Sequence, residues 1–337
     1  MAMKWHFPVA AAIAVAAFAG AAHADSLATF SLLQENDSLY FNTDKHYTQG
    51  LRLSYLAPTV TSGDFWDQPF AALAAHTPVF AGDATDRRYA LLLGQSIFTP
   101  ENLTERPPDP HDRPYAGWLY GGVSLLQNTG GNMLENVELD IGVVGPGALG
   151  KQVQNDWHQF IDIAQARGWS RQLQNEPGMV LSYERLWRLP IFSGPVGADF
   201  VPQLGATLGN IFTYGAVGGM LRLGSSLGAD FGPVRVRPAL SGTDYYDSTR
   251  ATDGFGGYFF VGAQGRVVGR NVFLDGNSFR SSASVPKKVL VADFQGGFSL
   301  GWSDRVRANF SVVRRTEEFD GQRTPDVIGT ASIAGSF

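Results

Sequence analysis

The chain has 337 residues and a formal net charge of −5, which argues against a nucleic-acid partner because such proteins carry a basic face. It contains no cysteine, and this excludes a disulfide framework, a thiolate zinc site and a cysteine nucleophile. Only 17% of the residues are charged, 40 are glycine and the mean hydropathy is −0.08, so the composition is typical neither of a disordered chain nor of a helical membrane protein.

The amino terminus has the pattern of a secretory signal peptide. A basic region at Lys4 precedes an apolar run over 8–22, and Ala22-His23-Ala24 matches a small-x-small cleavage site. We predict cleavage after Ala24, which divides the chain into a signal peptide at 1–24 and an exported barrel domain at 25–337. A membrane anchor is the alternative, but the run is shorter than the roughly 20 residues that a spanning helix needs.

The rest of the chain alternates apolar with small or polar residues, as the strands of a barrel wall do. In 136–144, Leu139 and Ile141 share one face while Glu138 and Asp140 share the other. A secreted soluble β-sandwich would alternate in the same way with its charges outward, and the pattern does not tell which face points inward. The signal peptide, the glycine content and the carboxy-terminal Phe337 favour a closed transmembrane barrel, because lipid cannot satisfy a free sheet edge.

Twelve segments are predicted to form the wall. A thirteenth candidate, 233–241, contains Pro233 and Pro238, which cannot donate to a ladder, and we interpret it as a loop. The sequence therefore predicts an all-β fold, a twelve-stranded antiparallel transmembrane β-barrel with an extracellular helix. The predicted strands are 26–35, 47–57, 87–98, 115–126, 136–144, 178–188, 198–209, 214–225, 256–268, 288–302, 305–315 and 326–337.

The extracellular helix is predicted over about 149–166. Its apolar residues recur at helical spacing, and glycines at 145, 147 and 168 bound the segment. These apolar residues are Val153, Trp157, Phe160, Ile161 and Ala164. A weaker helical stretch, 65–75, lies within the long connection 58–86.

The topology collects distant polar residues at one rim. Both ends of a bacterial barrel lie in the periplasm, so strand one runs outward and ends at Asn36-Asp37. Strand two begins at the same rim with Thr48, strand three rises to the loop 99–114, and strand five rises to the helix that carries His158. We expect these four groups to meet on the side of the outer leaflet.

Each of these residues also has a structural interpretation. A histidine has the right pKa for general-base work near neutral pH, but His158 could equally be a solvated helix residue. Asn36-Asp37 could form a turn at a strand end. Thr48 alternates with Arg52, so we expect its hydroxyl on the same side of the wall as that guanidinium. Their shared location favours a site.

At these residues the chain resembles the lipid A 3′-O-deacylase family of outer-membrane barrels. The resemblance covers nearly the whole mature chain, and the longest block is DIGVVGPGALGKQVQNDWHQFI at 140–161, which includes Gln154-Asn155 and His158. The shorter matching blocks are Glu35-Asn36-Asp37, His46-Tyr47-Thr48-Gln49-Gly50-Leu51, Gly94-Gln95-Ser96-Ile97-Phe98-Thr99-Pro100 and Asp112-Arg113-Pro114-Tyr115-Ala116-Gly117.

The resemblance implies a hydrolase that removes the 3′-linked acyloxyacyl group of lipid A in the outer leaflet. It implies a site between the wall and the helix, dependent on a divalent cation, usually Ca²⁺. By position, Asn36, Asp37, Thr48 and His158 match the family's site. His158 would be the base that activates water, Asp37 and Asn36 the cation ligands, and Thr48 a group that holds the cation, the water or the oxyanion.

Two positions depart from the family pattern. Where the best-known members carry a lysine in the loop after Thr-Pro, this chain has Arg106 as a loose substitute. Where they carry a glutamate two turns after the histidine, it has Ala164, and Asp162 is the candidate to serve instead.

Two other functions remain open at this point. A non-enzymatic barrel, either a small pore or a structural protein, would use a wet lumen lined by Glu138, Asp140, Asp293, Arg305 and Arg307. A phospholipase with a Ser-His pair would draw on Ser31, Ser38, Ser54 or Ser96. In each case we expect a monomer in the bacterial outer membrane, with lipopolysaccharide as the partner of the enzyme and no nucleic acid.

Overall fold

The computed structural model describes residues 26–37, 45–239, 243–251 and 254–337. The predicted signal peptide and Ser38 lie outside these residues. Thirteen strand segments form one antiparallel sheet whose two ends meet, because β1 pairs with β13 from Thr29↔Ser336 to Asn36↔Gly329. The segments are β1 (Thr29–Asn36), β2 (His46–Leu56), β3 (Ala84–Thr99), β4 (Ala116–Thr129), β5 (Met133–Val144), β6 (Glu176–Trp187), β7 (Leu189–Phe192), β8 (Gly197–Gly209), β9 (Phe212–Gly224), β10 (Phe255–Asn271), β11 (Leu290–Trp302), β12 (Val306–Arg315) and β13 (Asp326–Ser336).

The wall has twelve strands, as predicted. Segments β6 and β7 are separated only by Arg188 and both pair with β8, so they form a single wall strand. The described part of 233–241 forms no strand, which agrees with its interpretation as a loop. The α-helices within the described residues are α1 (Asp67–His76), α2 (Gly150–Phe160) and α3 (Val272–Asp275). Among the described residues, no helix is long and apolar enough to span a bilayer.

The charged faces of the strands point inward. On β5, Glu138 and Asp140 are buried whereas Leu139 and Ile141 are exposed, and on β3 Arg88 is buried next to exposed outward leucines. This arrangement is the reverse of a soluble sandwich and is the one that a lipid environment requires.

The lumen is filled by the connection between β9 and β10. We call its described residues, 225–239 and 243–251, the lumenal segment. Arg237 donates to Glu184 at 2.6 Å and to Glu138 at 2.9 Å, and Arg52 of the wall donates to Asp244 at 2.5 Å. Because these buried charges face opposite ones, the barrel encloses an ion-paired interior. Arg305 lies outside this interior, exposed at the turn between β11 and β12, which corrects its expected place in the lumen.

The two ends of the barrel differ. The end that holds Thr29 and Ser336 also carries the connection 57–83 with α1 and the start of the lumenal segment. The opposite end carries the loops 100–115, 145–175, 272–289 and 316–325, and α2 lies in the second of these. With both chain ends in the periplasm, α2 lies on the outer-leaflet side.

Candidate active site between the helix and the wall

A β-bulge sets the orientation of Thr48. Tyr47 pairs with Phe98 and Gln49 with Ile97, so Thr48 is an extra residue in β2. Its Oγ1 lies 2.7 Å from Oγ1 of Thr99. The expectation that Thr48 shares a side with Arg52 is wrong, because the bulge interrupts the alternation on which it rested.

The outward row of β3 shows which side Thr48 occupies. Thr99 continues the row of the exposed Leu91 and Leu93, whereas Arg52 bonds to carboxylates inside the barrel. Thr48 therefore lies with the outward row. The hydroxyl of Tyr47 lies over Gly50 on the lumenal side, where a Cβ on Gly50 would come within 1.9 Å of it.

The end of β1 brings Asn36 and Asp37 to the same rim. Asn36 pairs with Gln49 across β1 and β2, and it faces away from Glu35, whose carboxylate accepts hydrogen bonds from Arg235 and the backbone of Val236 in the lumen. Asp37 is buried, and its Oδ2 accepts a hydrogen bond from the backbone N–H of Lys45 at 2.5 Å.

Helix α2 lies against the outer surface of the wall. Gly150 packs on Gly117 of β4, where a Cβ on Gly117 would lie 3.3 Å from the Gly150 nitrogen. Gln95, on the outward row of β3, donates to the carbonyl of Ala148 at 2.7 Å. A cluster of Ile97, Tyr115, Ala166 and Trp169 fills the space beneath the loop. Glycines in contact allow the close approach of helix and strand.

His158 lies on the wall-facing side of α2. The buried residues of the helix are Gly150, Gln154 and His158, spaced four apart, whereas Trp157 and Phe160 are exposed. The Nδ1–H of His158 donates to the Ala164 carbonyl at 2.7 Å, since a carbonyl oxygen only accepts. In the neutral ring the unprotonated nitrogen is then Nε2, the tautomer that a general base requires.

Two amides of α2 hold the segment that follows the helix. Gln154 Oε1 accepts from the indole N–H of Trp169 at 2.9 Å. Asn155 Oδ1 accepts from the Ala166 N–H at 3.0 Å, and its Nδ2 donates to the Ala166 carbonyl at 3.4 Å. The helix ends at Phe160, earlier than predicted, because the chain turns back through Asp162 at φ +57°.

The other two predicted residues, Arg106 and Asp162, are exposed, unlike the buried His158. Arg106 is exposed in the loop 100–115 and Asp162 is exposed on the turn after α2. In the parts of the chain that are described, neither side chain is hydrogen-bonded to His158. Ala164, which stands where the family has a glutamate, contacts the histidine ring through its backbone carbonyl, 2.7 Å from Nδ1.

A second buried histidine at this rim was not singled out from the sequence. His46, at φ +61°, places Nδ1 2.7 Å from Asp326 and Nε2 3.6 Å from Asp112. Next to it, Glu318 binds Arg113 at 3.3 Å. Burial alone would raise the pKa of Glu318, but Arg315 and Arg113 outweigh burial and lower this pKa. No local pattern could reveal these pairs, because their members lie between 66 and 280 positions apart in the chain.

Oxygen donors dominate the candidate site. Asn36, Asp37 and Thr48 offer an amide, a carboxylate and a hydroxyl, which is the donor chemistry of a hard cation. Within residues 26–37, 45–239, 243–251 and 254–337, no group of three or more His, Asp or Glu side chains could hold a metal ion.

The serines proposed for a phospholipase lie elsewhere. Ser31 and Ser54 lie 2.5 Å apart, and both donate to Asp244 of the lumenal segment. Ser96 is buried on the inward row of β3. None of these three hydroxyls lies on the outward row that α2 covers.

Comparison with known proteins gives a matching family and solved structures of similar fold. Residues 7–337 match the family described as outer membrane protein LpxR. The structure of LpxR from Salmonella typhimurium is 22% identical, covers 92% of this chain and 100% of its own, and superposes with a TM-score of 0.71. No curated protein matches the chain.

Two autotransporter barrels are more distant. The beta domain of the Bordetella autotransporter BrkA is 11% identical, with 94% of this chain and 100% of that one covered and a TM-score of 0.43. The translocator domain of NalP from Neisseria meningitidis is 8% identical, with 93% and 88% covered and a TM-score of 0.42.

Proposed function

The chain belongs to the LpxR family of outer-membrane proteins, and from this premise we propose that it is a lipid A deacylase. It removes the 3′-linked acyloxyacyl group by attack of water on the ester, and we propose that it acts as a monomer. The observation that carries the proposal is the buried His158 on the wall-facing side of α2, whose Nδ1–H donates to a backbone carbonyl, so that the lone pair of the neutral ring is on Nε2.

The ester cleavage needs one base that later acts as an acid. Nε2 of His158 takes a proton from water while the water oxygen bonds to the ester carbonyl carbon. As the tetrahedral intermediate collapses, the bond between this carbon and the 3′ oxygen breaks, and the imidazolium returns the proton to that oxygen. The products are the free acyloxyacyl acid and a 3′-hydroxyl, and no serine nucleophile is required.

The oxygen donors at the rim suit the second requirement, a positive charge near the developing oxyanion. Asp37 and Asn36 would hold a divalent cation, expected to be Ca²⁺, and Thr48 would orient the water or the carbonyl oxygen. When bound, the cation would supply electrostatic stabilisation of the oxyanion.

The length of α2 supports a meeting of these groups. His158 lies eight residues after Gly150, a rise of about 12 Å along a helix. Neighbouring strands are about 4.8 Å apart, so the separation of β4 from β2 is about 10 Å. A helix that begins over Gly117 of β4 and contacts β3 can thus bring its histidine to the level of Thr48 on β2.

The test uses purified protein and hexa-acylated lipid A, with Ca²⁺ or with a chelator, and weighs the lipid products. We expect loss of the 3′ acyloxyacyl mass with Ca²⁺ only, no cleavage by His158→Ala, and normal cleavage by the control Gln159→Ala, whose side chain is exposed. Unchanged lipid A under both conditions would exclude the proposed function.

A further inference from the structure

Helix α2 has three faces of different chemistry. Gly150, Gln154 and His158 form the face against the wall. At about 100° per residue, Val153, Trp157 and Phe160 form a flank on one side of it. Lys151, Gln152, Asp156 and Gln159 form the remaining, exposed surface.

Val153 of this flank packs on the cluster beneath the helix, whereas no described residue covers Trp157 and Phe160. Phe160 is 66% exposed and Trp157 is 43% exposed, and their rings lie 5.7 Å apart. Ile161 and Ile163, just after the helix, are also exposed. Apolar side chains in contact with water are unfavourable, so these residues favour an apolar environment.

The flank belongs to an element that starts at the top of the lipid-facing wall. Leu139, Ile141 and Val143 form the outward row of β5. A Cβ on Gly147, just before α2, would lie 3.4 Å from a Cγ atom of Val143. The outward row of β5 therefore lies against the segment that leads into the helix.

The polar surface of α2 completes the arrangement. A helix that lies in the plane of a membrane interface carries apolar residues toward the acyl chains and charged or amide residues toward water. Tryptophan is enriched at this depth. Here the third side of such a helix is occupied by the wall, through Gly117 and Gly150.

We propose that the exposed part of the flank, Trp157 and Phe160, lies among the acyl chains of the outer leaflet together with Ile161 and Ile163. The charge pattern of α2 and its position beside the barrel's lipid-facing surface favour lipid over a second copy of the chain. The inference requires only the outer-membrane location. Its consequence rests on the proposed function: an acyl chain enters the crevice of His158 sideways from the leaflet, without leaving the membrane.

Single cysteines test this placement without ambiguity, because the chain has no cysteine of its own. We would attach a nitroxide label to Phe160→Cys and, as the matched control, to its neighbour Gln159→Cys, in vesicles of lipopolysaccharide and phospholipid. Ile141→Cys serves as the lipid-facing reference and His111→Cys, in an exposed loop, as the aqueous reference. Accessibility to oxygen and to a water-soluble nickel chelate is then measured by power saturation.

We expect the label at 160 to match position 141, with high oxygen and low nickel accessibility, and the label at 159 to match position 111. High nickel accessibility at 160 would overturn the proposal by placing the flank in water. Protection from both reagents at 160 would also overturn it and indicate a protein partner such as a second copy. The same labels in a His158→Ala background should give the same pattern, so the result is independent of hydrolysis.

Discussion

At the scale of single residues, Asn155 fixes the chain that holds the histidine ring. Its amide bonds twice to the backbone of Ala166, two residues after the carbonyl that accepts from His158 Nδ1. Asn155 is therefore a positioning residue. In Asn155→Ala we expect kcat/KM to fall about 30-fold, since two hydrogen bonds of about 1 kcal/mol each are lost and each 1.36 kcal/mol corresponds to about a factor of ten.

The measurement is the pH profile of kcat/KM for wild type and variant. A loosened Ala164 carbonyl binds the imidazolium less well, so the acidic limb should move as the rate falls. Asn155→Asp keeps an acceptor for the Ala166 N–H and should restore part of the rate. An unchanged rate and limb in Asn155→Ala would contradict the positioning role.

Glu318 gives the rim a pH-dependent stability. Its carboxylate faces Arg113 and Arg315, and its pKa is lowered. A lowered pKa means that the stabilisation is fully present above the ordinary pKa of about 4.3 and is lost as the pH falls through the value in the folded state. We expect Glu318→Gln to reduce the free energy of unfolding by about 3 kcal/mol at pH 7, because a buried pair is broken.

Urea titration of the barrel folded in vesicles measures this difference. The difference in the free energy of unfolding between wild type and Glu318→Gln should be constant from about pH 6 to 8 and should become smaller below about pH 4. The neighbouring Glu317→Gln, at a half-buried carboxylate, is the control and should leave the midpoint unchanged. A difference in unfolding free energy that grows in acid would contradict the lowered pKa of Glu318.

At the scale of elements, the contact of α2 with the wall depends on Gly117. A Cβ at this position would lie 3.1 Å from Ala148 Cβ and 3.3 Å from the Gly150 nitrogen, so a leucine must push the helix away. We expect Gly117→Leu to fold but to lose about 100-fold in rate, because a displacement of about 1 Å is enough for such a loss.

Gly121→Leu is the matched control for this substitution. Gly121 lies on the same strand and the same outward row, and the nearest atom to its added Cβ is 3.7 Å away. Both variants should show the heat-modifiable mobility of a folded barrel. Full activity of Gly117→Leu would show that catalysis does not depend on the close packing of α2 against β4.

The strands were predictable because their alternation is repeated in every wall segment, whereas α2 was predictable only in part. The period of Val153, Trp157 and Phe160 gives a helix, but in a soluble protein that flank would face the core. Here the polar residues Gln154 and His158 face protein. The bulge at Thr48 has no sequence signal of its own, because it is defined by pairing with β3.

At the scale of the whole molecule, the lumenal segment fills the barrel. Arg235 bridges Glu35 at 3.2 Å and Asp293 at 3.1 Å, and Arg237 bridges Glu138 and Glu184. We expect no steady large openings in planar-bilayer recordings, because moving this segment exposes several buried charges. Steady large openings of the wild type would favour the pore over the enzyme.

The alternation along the strands predicted that charged side chains line the lumen, but not which residues they pair with. Pro233 and Pro238 showed that 233–241 is not a wall strand. Nothing in the local sequence, however, indicates that Arg235 and Arg237 lie inside the barrel. Their carboxylate partners are distributed over four wall strands and become neighbours only after the sheet closes. The same holds for His46 and Asp326, which are 280 positions apart.

The central claim is that α2 carries His158 on the lipopolysaccharide side of the wall. Its most direct test is labelling of intact cells with a membrane-impermeant maleimide at Gln159→Cys on α2, with Ala71→Cys on α1 as the reference for the opposite end of the barrel. The account predicts that position 159 reacts in intact cells and that position 71 reacts only after the outer membrane is opened. Reaction of position 159 only after opening would contradict it.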